Sequence, residues 1–365
     1  MRWFLAAILL LHGLIHFLGP LKASGLASLP NLHKAISFSM SLIWLLAGVL
    51  TLAAVAAMWL WPSGLWALGL GAVIASQIAI FNAWSDAKLG TLGDLLLLCV
   101  SATGFFMYGP GSLYAQFRQD RSARVTKAAR LVTDADLEPL PKPVQRYLRA
   151  VGVVGHPHVQ RYSLHFRGRI RGAPNDPWMP FKATQVSFAN PSSRLFWMQA
   201  EKAGLPVAIY HRFVGGSASM RVMLLGALEM VDAAGATMDR AETVTLFNDM
   251  CLLAPATLLE PNIAWKPVDD RTTEARFSHG RNTITATLRF DDDGLLRDFI
   301  SDDRWRLGAD GKSAERRRFS TPIRDYRNYG SFLLASHGDA RWHLPEGDFT
   351  YGEFDLIDVT YNDVR

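Results

Sequence analysis

Arg281-Asn-Thr-Ile-Thr-Ala-Thr-Leu-Arg-Phe290 decides how the C-terminal part of this chain is read. Ile284, Ala286, Leu288 and Phe290 alternate with Thr283, Thr285, Thr287 and Arg289. A period of two puts all the apolar side chains on one face only if the segment is a half-buried β-strand. Asp291–Gly294 follows as a hairpin turn. It is not a calcium loop, because it lacks the alternate-position acids and the distal glutamate.

Working outward, the same alternation runs through 295–307, 315–325, 338–344 and 351–362, and upstream through 271–278 and 262–268. A helix precedes them. Asp239 is placed to cap it, with Glu242 three residues on in capping-box spacing. Val244, Phe247, Cys251 and Ala254 follow the helical repeat, and Pro255 ends it. Before the helix, strands are expected at 159–171, 179–190, 194–200, 205–214 and 217–225, the last two joined tightly through Gly215–Gly216. Pro143–Val151 reads as a short helix presenting Val144, Tyr147, Leu148 and Val151 on one face, and 131–142 as a linker with a short turn. An antiparallel run this long must curl, close or split to bury its apolar faces. The expectation for 143–365 is a mainly-β antiparallel half-barrel with a covering helix, enclosing an apolar cavity.

Residues 1–117 differ in kind. They hold six formal charges (Arg2, Lys22, Lys34, Asp86, Lys88, Asp94), against 65 in the remainder. Four apolar runs, Trp3–Gly19, Ile36–Trp61, Leu65–Trp84 and Leu92–Tyr108, each approach the roughly 20 residues that cross a bilayer core. No small-residue cleavage pattern follows the first, so it reads as a retained helix. Trp59, Trp61, Trp66 and Trp84 mark span ends, as an interfacial belt does. The expectation is an α-helical membrane bundle of four spans over 1–117, followed by a basic connector over 118–142.

Between 118 and 171, twelve Lys and Arg face four acids, and from 172 to 365 the balance turns to −5. Arg118, Arg121, Arg124 and Lys127, with Arg167, Arg169 and Arg171 on the polar face of the first strand, are the candidate membrane-surface residues. Anionic headgroups of a lipid bilayer attract such segments. No nucleic-acid motif accompanies them, so nucleic acid is not an expected partner. Six basic residues flank the spans on the side of the termini and three on the other, which places the C-terminal domain in the cytoplasm, beneath a bacterial inner membrane. A periplasmic placement stays open, since the rule weakens before a long domain.

Polar residues within spans are costly in lipid. His12 and His16, four apart, share one helix face; Asn82, Asp86 and Asp94 lie near the facing ends of the third and fourth spans and could pair with them or with Lys88. The histidine spacing suits a metal, a haem or a quinone. Inter-helix hydrogen bonding that fixes the bundle is the favoured reading, and no second histidine pair in the spans completes such a site, so neither metal nor other cofactor is assigned. Two cysteines, Cys99 and Cys251, exclude a disulfide framework and a cysteine-based zinc site.

The sequence has no Gly-x-Ser-x-Gly elbow, phosphate-binding glycine loop, His-Glu-x-x-His or dinucleotide fingerprint. Arg240, Glu242, Asn248 and Asp249 on the helix, Asp303 and Arg324 on strands, and Glu353 near the C-terminus are the candidate ligand-binding residues. Asp303 alternates with Phe299 and Trp305 and is expected to point inward. Glu353 and Asp355 share a strand face with Ile357 and Val359. Inward acids facing Arg240 or Arg324 would form buried ion pairs, or a carboxylate pair for acid–base hydrolysis. His211, on one strand face with Val207, Ile209 and Phe213, reads as a core histidine. The Met and aromatic residues of 178–230 suit both a core and an adaptable apolar pocket.

Four segments carry a resemblance: Leu140-Pro-Lys-Pro-Val-Gln-Arg-Tyr-Leu148, Pro177-Trp-Met-Pro-Phe181, Asp239-Arg-Ala-Glu-Thr-Val-Thr-Leu-Phe-Asn-Asp249 and Tyr351-Gly-Glu-Phe-Asp-Leu356. Over about 130–365 the chain resembles a bacterial family known only as a domain of unknown function. His12-Gly-Leu-Ile-His-Phe-Leu-Gly19 and Trp84-Ser-Asp-Ala-Lys88 resemble the four-span prefix often attached to it. The resemblance implies an architecture and no activity. The strand–helix–strand order is also similar to the lipoprotein-carrier fold, an open barrel that holds acyl chains. The leading expectation is therefore non-enzymatic binding of a lipid or other apolar ligand at the membrane surface. A membrane-bound hydrolase using carboxylates around Asp249 and Asp303, and an assembly platform for an unknown protein partner, are the alternatives.

Overall fold

The computed structural model describes residues 2–122, 130–308 and 313–362, so Arg124 and Lys127 lie outside the described residues. By internal contacts the chain divides into two units, Met1–Gln116 with Leu225–Leu228, and Phe117–Leu224 with Glu229–Arg365.

Among the described residues, four helices are long and apolar enough to cross a membrane: Arg2–Ala23, Phe38–Leu60, Leu65–Asn82 and Gly90–Asp120. The first is interrupted after Ile15 and resumes at Leu18. The bundle is polar inside and apolar outside. His12, His16, Thr51, Ser76, Asp94 and Ser101 are buried, while Leu11, Leu46, Ile74 and Leu92 are exposed. That inversion suits a lipid surrounding, where exposed leucine costs nothing and polar groups must find each other. Ala47, Ala54, Ala72 and Ala79 are fully covered where helices meet, the small-residue packing that lets backbones approach.

The second unit is built on a sheet of thirteen strands among the described residues. In chain order they are β1 (Arg161–Ile170), β2 (Met179–Ala189), β3 (Ser192–Lys202), β4 (Leu205–Val214), β5 (Ser217–Leu224), β6 (Leu228–Ala234), β7 (Ile263–Pro267), β8 (Thr272–His279), β9 (Asn282–Phe290), β10 (Leu296–Leu307), β11 (Ala314–Tyr329), β12 (Phe332–Leu344) and β13 (Gly347–Tyr361). Their order across the sheet is β6-β5-β4-β3-β2-β1-β13-β12-β11-β10-β9-β8-β7. Two meanders are thus joined through the antiparallel pair β1–β13. Such a wide sheet curls, and this one forms a half-barrel. The connection from one edge strand to the other, β6 to β7, is the core helix Ala236–Leu253, which packs against β5, β9, β10 and β12.

The core helix is covered on nearly every side. It begins at Ala236, behind Gly235 at φ 101°, four residues earlier than the capping-box reading places it. Asp239 is therefore inside the first turn, where a carboxylate suits the helix dipole. Its oxygens accept from the Ala218 amide at 2.7 Å and from Arg281 at 2.6 Å. The short helix Lys142–Ala150 buries Val144, Tyr147 and Leu148. Tyr147 Oη donates to the Cys251 carbonyl at 2.7 Å, fastening it to the end of the core helix. Residues 131–142 hold the short turn, capped by Thr133 with Asp136, and Val132 and Leu137 of this segment are buried in the same core.

Two register shifts break the alternation of β13, opposite His165/Phe166 of β1 and Ala340/Arg341 of β12. The first places Ile357 outside and both Leu356 and Val359 inside, so Glu353, Asp355 and Ile357 do not share a face with Val359. A β-carbon at residue 168 would meet the Glu353 carbonyl and the Phe181 ring, so glycine at 168 permits the strands to close on each other there.

Candidate functional site: a cavity under the core helix

Between the sheet and the core helix lies a cavity of about 470 Å³. Its walls are mostly apolar, with Met198, Ile209, Met220, Leu252, Phe354 and Leu356 among them. Each element contributes by a simple rule. The strands turn alternate residues to the concave side, and the helix turns Ala241, Thr245, Asn248 and Leu252 toward it at helical spacing.

The buried polar end is organised by Arg194 of β3. Its Nε donates to Asp249 at 2.6 Å and its Nη1 to Glu242 at 3.3 Å. Gln185 Nε2 donates to the same Asp249 oxygen at 2.9 Å. Arg194 also lies over the Phe196 ring, 4.7 Å from its centroid. His211 Nδ1 stands 3.4 Å from Glu242, so His211 lines the cavity and is not a plain core residue. Burial opposes the charge on Glu242. The His211 side chain and the Arg194 and Arg304 guanidinium groups outweigh that and hold its pKa down to about 2.

The half-buried end is a rim of arginines over aromatic rings. Arg171 lies 4.3 Å from the Trp178 centroid and 5.3 Å from Phe349; Arg304 lies 4.3 Å from Phe319; Arg306 lies 5.7 Å from Phe349. All three arginines line the cavity, and among the described residues none of them forms an ion pair. Asn248 Oδ1, Trp305 Nε1, Thr321 Oγ1 and Arg304 Nε belong to cavity-lining residues and are buried without a protein partner among the described residues. Unsatisfied buried polar atoms are uncommon in folded proteins, and four around one cavity call for a bound group or water.

Of the candidate residues, Glu242, Asn248 and Asp249 are brought together on the cavity wall. Asp303 points inward into a different arrangement, accepting from Arg240 at 2.6 Å, Arg316 at 2.7 Å and the Thr285 amide at 2.8 Å. It neither lines the cavity nor meets Asp249, so no pair of free carboxylates forms from those two. Arg324 donates to Asp339 at 3.2 Å, and Arg169 to Glu353 at 2.7 Å; both pairs lie away from the cavity wall. Among the basic residues, Arg167 and Arg118 are exposed, Arg121 stacks on Phe117, and Arg171 belongs to the rim. In the helical unit, His12, His16 and Asp94 converge. Asp86 instead accepts from the Lys34 amide at 2.8 Å, and Asn82 is exposed.

Arg194 escapes the sequence reading, and so does the placing of Arg304, Trp305 and Arg306 on the cavity wall. Arg194 is a lone cation in an apolar strand, a signal that a paired acid waits elsewhere. The other three follow a register shift between Ser301 and Arg304, past which a period of two no longer tells the faces apart.

Fold and site together define a class: a bundle of four membrane-length apolar helices on one chain with an antiparallel half-barrel that encloses an apolar, arginine-rimmed cavity. By sequence the chain belongs to a family of unknown function (DUF6544), whose model matches residues 130–354. No curated protein matches it. Among solved structures it is similar to a domain from Vibrio parahaemolyticus provisionally described as an outer membrane lipoprotein-sorting protein domain. That pair shares 7% identity over 55% of this chain and 85% of the other, with a TM-score of 0.34. It is also similar to a DUF1329 family protein from Desulfovibrio piger, at 12% identity over 56% of this chain and 86% of the other, again with a TM-score of 0.34. Likeness at this level carries no weight for what this chain binds.

Proposed function

We propose that the half-barrel binds an amphipathic lipid with an acidic headgroup, holding the acyl part in the cavity and the headgroup at the rim. One observation carries the reading: a largely apolar cavity of about 470 Å³ meets three arginines that form no ion pair among the described residues. An apolar pocket with a few convergent polar groups is the usual form of a small-molecule site. Guanidinium forks match carboxylate and phosphate oxygens, and the flat aromatic supports keep them oriented. The buried end fits a non-catalytic role, since Glu242 and Asp249 are both engaged by Arg194. We place the protein in the bacterial inner membrane with the half-barrel on the cytoplasmic side, on the six-to-three excess of basic residues flanking the spans.

Native mass spectrometry of the detergent-purified full chain, followed by extraction and identification of what is released, tests this. The expected result is a co-purifying lipid with an acidic headgroup. Arg304→Ala is expected to weaken binding of acidic lipids by about tenfold, the scale of one lost charge-assisted hydrogen bond, and to leave neutral ones unchanged. A chain that stays bare after incubation with membrane extract would overturn the reading. Equal binding of acidic and neutral lipids by wild type would remove the headgroup part of it.

A further inference from the structure

The helical unit holds a cluster that the cavity does not explain. His12 and His16 come from the first span and Asp94 from the fourth, and one ligating atom of each lies within 4.8 Å of the others. All three are buried, His16 and Asp94 at 2% exposure. His12 Nε2 stands 2.8 Å from Asp94 Oδ1. Ser76 Oγ and Gln77 Nε2 of the third span donate to Asp94 Oδ2, each at 2.7 Å. Ser76 Oγ also lies 3.0 Å from His16 Nε2. Because the single Ser76 proton goes to Asp94, this contact assigns the other proton to His16 Nε2. His16 Nδ1 is then a bare lone pair, and it has no partner among the described residues. The two imidazoles meet edge to face with centroids 4.9 Å apart. Gly93 makes room for them: a β-carbon there would lie 2.5 Å from His12 Nδ1.

From this geometry we propose that His12, His16 and Asp94 form a binding site for one divalent first-row transition ion, of which zinc is the probe. Two imidazole nitrogens and one carboxylate oxygen suit such ions, and three protein ligands leave a position for water or a hydroxyl. A carboxylate buried between apolar helices is costly unless a positive charge answers it, and an ion there supplies that charge. Ser76 and Gln77 hold Asp94 from behind, the usual work of outer-sphere partners. A bound ion would tie the first span to the fourth, whose contributing residues are 78 or more positions apart in sequence.

The test uses the full chain in detergent, stripped with a chelator and titrated with Zn²⁺. Metal per chain is read by mass spectrometry after desalting, and Co²⁺ gives an optical spectrum of the same site. Wild type is expected to retain roughly one ion per chain. Asp94→Asn, which keeps the shape of the side chain, and His16→Ala are each expected to lose it. Ser76→Ala is expected to weaken affinity by about 10- to 100-fold. If His16→Ala does not fold, Asp94→Asn still decides. Wild type that retains neither Zn²⁺ nor Co²⁺, or full binding that persists in Asp94→Asn, would overturn the proposal and leave an inter-helix hydrogen-bond network.

Discussion

Replacing Arg194 with methionine is expected to destabilise the half-barrel by about 3–5 kcal/mol at neutral pH, the cost of leaving a buried ion pair with one partner. Two carboxylates, Glu242 and Asp249, would lose the same cation at once. The effect has a pH signature. In the wild type Glu242 is held from an ordinary value of 4.5 down to about 2. A depressed carboxylate contributes stability that is present above its unfolded value and is lost as pH falls through its folded one. Wild type should therefore lose stability between about pH 4.5 and pH 2. The variant keeps His211 and Arg304 beside Glu242 but loses the share of that stability that Arg194 supplies. The gap between the two should be largest near neutrality and should narrow below about pH 4.5. Urea denaturation across this range measures it. A gap that is small, or that does not change with pH, would mean that Arg194 does not neutralise these carboxylates.

The second large effect is on binding. Ala241 sits on the face of the core helix that lines the cavity. Ala241→Trp places an indole into the space assigned to the acyl chain. Overpacking a core costs about 1–3 kcal/mol, and less where a cavity accepts the bulk, so the domain should remain folded. Bound lipid per chain should fall by about tenfold or more, since losing about 1.4 kcal/mol of binding already gives that factor. Extraction and lipid mass spectrometry on matched preparations reads the ratio. Undiminished lipid in a folded variant would place the ligand outside this cavity.

Much of this architecture is legible in the chain. Strands with one wet face announce themselves: β9 and β1 alternate cleanly because their polar side chains meet water. The strand β6 does not. Leu228–Ala234 is an edge segment with no buried residue, so it has no apolar face to betray it. The first half of β12 is hidden for the opposite reason: Leu334, Ala335 and Ser336 are all buried in succession, and a continuous run carries no period. The core helix is legible as a helix but not as to what its polar residues do. Asp239 and Glu242 fit a capping box in sequence, yet their partners, Arg281 and Arg194, come from distant strands.

The site is only half visible for the same reason. Glu242, Asn248 and Asp249 fall on one local helix and can be grouped by spacing. Arg194, His211 and Arg304 join them through sheet curvature, which single-sequence patterns do not encode. In the helical unit the reverse holds. Charged and polar residues are so rare there that His12, His16 and Asp94 stand out by scarcity alone, and the fold brings all three together.

The claim that an acyl chain occupies the half-barrel is tested most directly by photo-crosslinking. The full chain would be reconstituted into vesicles containing an anionic phospholipid with a diazirine near the end of one tail, then irradiated and mapped by peptide mass spectrometry. Label is predicted on peptides carrying the cavity-wall residues Met198, Ile209, Met220 and Leu252, in addition to the four apolar helices, and should be lost from those peptides in Ala241→Trp. Label confined to the apolar helices in the wild type would contradict the account.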